Sequence, residues 1–91
     1  MDQQQRIIHF EGDVQGVGFR YTAVRLAQGL DVTGYVRNLA DGQVECVVEG
    51  QPAEIDRFVE RLSGRMEPYI RRQAQQTALP SGQFADFGVR Y

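Results

Sequence analysis

The sequence predicts an α+β sandwich in which two helices cover one face of an antiparallel sheet, with elements in the order β-α-β-β-α-β and a short strand at the end. Three observations predict it. Apolar residues alternate with polar ones at Ile8/Phe10, at Val32/Val36 and at Val44/Cys46/Val48, the period of half-buried strands. They recur at helical spacing in two other stretches, Phe19-Ala23-Leu26-Ala27-Leu30 and Ile55-Phe58-Val59-Leu62. Glycine and proline punctuate the chain between these stretches. With 91 residues there is room for one domain, so all of these faces must share one core.

Taken in order, residues 1–5 are polar and are expected to form a disordered, frayed N-terminus. Residues 6–14 read as the first strand, with Ile8 and Phe10 on one face and His9 and Glu11 on the other. Gly12, Gly16 and Gly18 then suit a loop that bends tightly. A helix is predicted over residues 19–28, with Gly29 as its C-cap and Leu30 packing back on the last turn. The alternation in residues 32–38 predicts a strand, Asp41-Gly42 a hairpin loop, and residues 44–49 the return strand. Pro52 opens a second helix, where its missing N–H is harmless, and Ser63-Gly64 ends it. Residues 69–79 alternate weakly and are rich in Gln; they are read as the fourth strand. Pro80-Ser81-Gly82 marks a turn, and residues 87–91 a short final strand. The result is the ferredoxin-like, split βαβ arrangement. Its second sheet face is expected to meet solvent, which accounts for His9, Glu11, Thr33, Arg37, Glu45 and Glu49. His9 is assigned a surface role there, Tyr35 and Arg37 a covering one, and Cys46 a place in the core.

Composition excludes several chemistries. All ten basic residues are Arg and none is Lys, so neither a Schiff base nor a phosphate-binding lysine is available. One Cys and one His allow no internal disulfide and no His- or Cys-rich metal cluster, and neither metal nor cofactor is expected. The formal net charge of -2 provides no basic stripe for nucleic acid. No apolar run approaches the roughly 20 residues of a membrane span. The first residues lack the pattern of a signal peptide, so a cytoplasmic setting is expected.

One loop concentrates the features that carry chemistry. Gly12-Asp13-Val14-Gln15-Gly16-Val17-Gly18-Phe19-Arg20 joins a strand to a helix start. Backbone N–H groups there have no helical partners, and the positive end of the helix dipole attracts an anion. Arg20 adds a planar fork that matches phosphate oxygens. A glycine pattern alone is weak evidence, because it equally suits a plain strand-to-helix turn.

The whole string is more specific: residues 12–20 resemble the signature loop of acylphosphatases. A second signature of that family is similar to Gly34-Tyr35-Val36-Arg37-Asn38-Leu39-Ala40-Asp41-Gly42, followed here by Val44 and Glu49-Gly50. Phe87-Gly88-Val89-Arg90-Tyr91 is also similar to the family's ending. The resemblance is strong over residues 6–62 and weak over 65–79, and it implies a single acylphosphatase-like domain over residues 6–91. It further implies hydrolysis of a carboxyl–phosphate anhydride in a small acyl phosphate by water, giving a carboxylate and inorganic phosphate, without metal or covalent intermediate. Carried over by position, the loop Gln15, Gly16, Val17, Gly18, Phe19 and Arg20 holds the phosphoryl group, and Arg20 and Asn38 are catalytic, with Asn38 orienting the attacking water. Asp13 departs from the family, which often has a basic residue there; it would lower affinity unless it points away. The tail either completes the sheet or brings the Tyr91 carboxylate to Arg20.

Two other readings compete. Gly16-Val17-Gly18-Phe19-Arg20 superficially resembles the glycine–aromatic string of an RNA-recognition module, but here it leads into a helix in an acidic chain. A non-catalytic phosphate-binding relative is disfavoured because both Arg20 and Asn38 are present. The expected partners are therefore the acyl phosphate substrate and the phosphate product, with no nucleic acid, no membrane and a monomeric chain.

Overall fold

The computed structural model describes residues 2–91. It contains β1 (Gln4–Gly12), α1 (Phe19–Gln28), β2 (Val32–Asn38), β3 (Val44–Gly50), α2 (Pro52–Arg65), a 3₁₀ turn (Glu67–Tyr69), β4 (Ile70–Ala78) and β5 (Phe87–Val89). The sheet order is β4-β1-β3-β2-β5. Both helices lie on one face, because the strands and helices each present a single apolar side that must be buried. Ile8, Phe10, Val36, Val44, Cys46 and Val48 from the sheet meet Phe19, Ala23, Ile55, Phe58 and Leu62 from the helices in one core. Burial also pushes the Cys46 thiol well above its ordinary pKa, so it stays protonated.

Several boundaries differ from the sequence reading. β1 begins at Gln4 and ends at Gly12, so Gln4 and Gln5 belong to the sheet rather than to a frayed N-terminus, while Met1 lies outside the described residues. Those two polar residues are held by pairing with Gly50 and Glu49 of β3, a long-range constraint that local composition does not reveal. α2 runs on through Ser63-Gly64 to Arg65 because Leu62 and Met66 remain buried beneath it. β4 pairs antiparallel with β1, with a register shift at Glu11/Gly12.

Two corrections bear on function. The sheet is mixed rather than antiparallel throughout: β5 lies parallel to β2, with Gly34 opposite Phe87 and Val36 opposite Val89. The connection through residues 79–86 carries the chain from the β4 edge to the β2 edge, which reverses the direction in which the last strand runs. That crossing also covers part of the face expected to be open. Phe84 packs on Tyr35, with ring centroids 5.8 Å apart. Glu49, only 4% exposed, accepts hydrogen bonds from Ser81 N (2.7 Å), Ser81 Oγ (2.7 Å), Gly82 N (3.0 Å) and Gln5 Nε2 (2.6 Å). Pro80-Ser81-Gly82 is thus a strap tied to a carboxylate rather than a free turn.

Glu45, 9% exposed, is the second buried carboxylate on that face. His9 Nε2 lies 2.8 Å from it, Arg37 Nε donates at 2.8 Å and Tyr35 Oη at 3.1 Å. Burial pushes the carboxyls of Glu45 and Glu49 up, but these donors outweigh it and hold both below the usual carboxylate value. No helix among the described residues is long and apolar enough to cross a membrane.

Candidate active site

Topology brings three chain segments to one end of the sheet. β1 and β2 are both antiparallel to β3, so they run in the same direction, and β5 runs parallel to β2. The C-terminal ends of β1, β2 and β5 therefore converge, carrying the loop of residues 13–18, Asn38 and the segment Val89–Tyr91. Of the three, β1 leads into the N-terminus of α1, the kind of end that attracts an anion.

The loop is shaped by backbone geometry. Gly16 and Gly18 adopt φ of 79° and 78°, the left-handed region that other residues enter only at a cost. Gly18 is the N-cap of α1, and its carbonyl accepts the first helical bond from Thr22 N at 3.0 Å. No side chain caps this end, and the first turn of α1 contains no acidic residue. The leading N–H groups and the helix dipole thus confront the surface without a protein counter-charge. Phe19 is buried against Phe10, centroids 4.9 Å apart, which fixes the helix entry and leaves the next residue, Arg20, to turn outward.

A pocket of about 340 Å³ opens here. Gly16, Gly18, Phe19, Arg20 and Asn38 line it, so the structure brings together most of the residues singled out from sequence. Asn38 is the last residue of β2, and its Oδ1 is buried with no hydrogen-bond partner in the protein. A buried carbonyl oxygen without a donor is costly unless something else supplies one.

Gln15 and Val17, whose expected contribution is their backbone N–H groups, do not line the pocket with their side chains. Val17 packs on the core. Gln15 turns sideways, and its Nε2 donates to Leu39 O (2.8 Å) and Gln43 O (2.9 Å), tying the loop to the turn that follows Asn38. Its amide is spent on holding the two halves of the site in register. Asp13 is exposed and does not line the pocket, so its charge is directed away. At the tail it is the Tyr91 ring that meets Arg20, with the guanidinium carbon 5.4 Å from the ring centroid, and no ion pair forms between Arg20 and the Tyr91 carboxylate.

Sequence reasoning missed the rest of the wall, formed by Val14, Tyr21, Val24 and Val89, while Tyr91, expected there as one of two alternatives, does line it. Val24 stands one helical turn after Arg20, a spacing that would have placed it on the same face. Val89 left no local signal as a pocket residue, because the parallel pairing of β5 with β2 brings it here.

The acylphosphatase family model matches residues 6–89 of this chain. The chain belongs to the acylphosphatase family. An acylphosphatase of Yersinia pseudotuberculosis serotype O:1b (strain IP 31758) is 40% identical over 87 residues, covering 93% of this chain and 94% of the relative. An acylphosphatase of Bordetella parapertussis (strain 12822 / ATCC BAA-587 / NCTC 13253) is 38% identical over 89 residues, 94% of this chain and 95% of the relative. Among solved structures, the crystal structure of acylphosphatase from Bacillus subtilis superposes with a TM-score of 0.84 at 30% identity, covering 98% of this chain and 99% of that one. Family membership thus extends over the segment 65–79 that resembles the family poorly in sequence, because β4 occupies its place in the sheet.

Proposed function

We propose that this chain hydrolyses the anhydride bond between a carboxyl group and phosphate in small acyl phosphates. The N–H groups of the loop from Gln15 to Arg20 and the Arg20 guanidinium hold the phosphoryl oxygens, and Asn38 positions the water. The water oxygen attacks phosphorus as the bond from phosphorus to the acyl oxygen breaks. The products are a carboxylate and inorganic phosphate, and the proton released from the water passes to phosphate or solvent.

Such a reaction needs positioning and charge stabilisation more than covalent chemistry. The carboxylate is a good leaving group, so no strong base is required. An amide is not a base at neutral pH, but its oxygen accepts a hydrogen bond. The observation that carries the reading is the buried, unpartnered Asn38 Oδ1 in the same pocket wall as Arg20 and the glycine loop. It is an acceptor in need of a donor beside an N–H-rich anion cradle, the pair of sites that water and phosphate require. No step is assigned to a metal, nucleic acid or a membrane, and the acting unit is taken as a cytoplasmic monomer.

The test is to mix the purified protein with acetyl phosphate and excess chelator and follow loss of the anhydride. Turnover that persists under chelation is expected. Tight phosphate binding without turnover would instead identify a phosphate-binding module. Asn38→Ala should reduce kcat while leaving inhibition by inorganic phosphate nearly unchanged; unchanged kcat would dismiss the water assignment.

A further inference from the structure

Beyond the phosphate end, the pocket is apolar. Val24 of α1 and Val89 of β5 line it, together with the largely exposed Tyr21 and Tyr91. Among the described residues Arg20 is the only charged side chain that lines the pocket, and the proposed chemistry already engages it. Tyr21 is 65% exposed, yet it is held in place: Arg25 Nη1 donates to its hydroxyl at 2.9 Å and stacks over its ring at 5.6 Å. An exposed aromatic ring fixed by its own helix is pre-organised for contact with something outside the chain.

We infer that this outer wall is an acyl-binding subsite selecting substrates with an uncharged aliphatic or aromatic acyl group. The inference rests on the acyl phosphate reading above and names the substrate class within it. With phosphate in the glycine loop, the acyl group leaves along the wall of Val24, Val89 and Tyr21. Each methylene withdrawn from water there contributes about a fourfold factor if fully buried. A second anionic group on the acyl part would be desolvated against valines and tyrosine rings with no cation to receive it. Discrimination between the two kinds of substrate should therefore exceed that expected from size alone.

The experiment compares kcat/KM for acetyl, butyryl, 4-methylbenzoyl and 4-carboxybenzoyl phosphate, each corrected for uncatalysed hydrolysis. The two aromatic substrates have the same shape and differ in charge at the far end. Butyryl phosphate is expected to exceed acetyl phosphate by about fourfold, the factor for two methylenes each half withdrawn from water. The 4-methyl compound is expected to exceed the 4-carboxy compound by at least that factor. Val24→Thr, which keeps the shape and adds no charge, should weaken the aliphatic preference without altering inhibition by inorganic phosphate. Because Val24 also packs on the core, Tyr21→Ser at the exposed rim serves as the second variant, and it should lower the ratio of aromatic to acetyl turnover several-fold. If acetyl phosphate is hydrolysed and kcat/KM is flat across the series, the subsite is overturned while the proposed activity stands. If none of the four is hydrolysed, both fall.

Discussion

Gln15 offers the sharpest test of how the site is held together. Its amide spans from the phosphate loop to the turn after Asn38 through two hydrogen bonds of 2.8 and 2.9 Å. Gln15→Ala removes both. The residue is exposed, so water can replace the lost donor at the two carbonyls, and the stability loss should be about 1 kcal/mol. That corresponds to a fall in Tm of roughly 4–8 °C for a chain of this size. The effect on rate should be larger than the effect on stability. Once the loop and the Asn38 strand end are uncoupled, a displacement of about 1 Å between phosphoryl group and water can cost on the order of 10² in rate. A drop in kcat of roughly 10- to 100-fold is expected on that basis. The inhibition constant for inorganic phosphate should change little, because the loop amides and Arg20 remain together. Gln15→Glu should be worse than Gln15→Ala, since it sets carboxylate oxygens against two carbonyl oxygens in place of a donor. Steady-state hydrolysis, phosphate inhibition and thermal melting, measured on each variant, separate these effects. If Gln15→Ala kept kcat within a factor of two, the loop and the turn would hold their relative positions unaided, and the argument would be refuted.

Three other outcomes are expected. Arg20→Ala should lower kcat/KM by about 10²–10³, and Arg20→Lys should be nearly as damaging because a point charge cannot reproduce the fork; both are read from steady-state kinetics. Glu45 and Glu49 each have a folded-state pKa below the ordinary value of 4.5, so their contribution to stability is complete above that value and is lost as pH falls through the lower folded values. Chemical denaturation from pH 7 to pH 3 should show stability declining below about pH 4.5, and Glu49→Gln should flatten that decline. Gly34→Ala should cost several kcal/mol or prevent folding, because φ is +138° and a Cβ would lie 1.8 Å from Val47 O between two central strands; expression yield and melting temperature check this.

Much of the architecture follows from local pattern. Period-two alternation in β2 and the helical stripes of α1 and α2 each bury a single face, so their element type is written directly in residue spacing, whereas β3 is buried along its whole length. The glycine loop with Arg20, and Asn38 at a strand end, were likewise legible, since a turn before a helix must contain residues that tolerate φ > 0. The ends of β1 and α2 were misjudged because they are fixed by pairing and packing with distant residues, such as Gln5 with Glu49 and Met66 beneath the helices.

By itself, then, the sequence determined which stretches are strands and helices, where the glycine bend before α1 lies, and which guanidinium and carboxamide to look for in one pocket. Those depend on residues within a few positions of one another. Only the tertiary structure decided that β5 runs parallel to β2, that a strap covers Glu49, and that the Gln15 side chain joins two loops. Each of these joins segments 24 to 53 residues apart. Such contacts are selected by the summed burial and hydrogen bonding of the whole chain, and no local spacing encodes that sum.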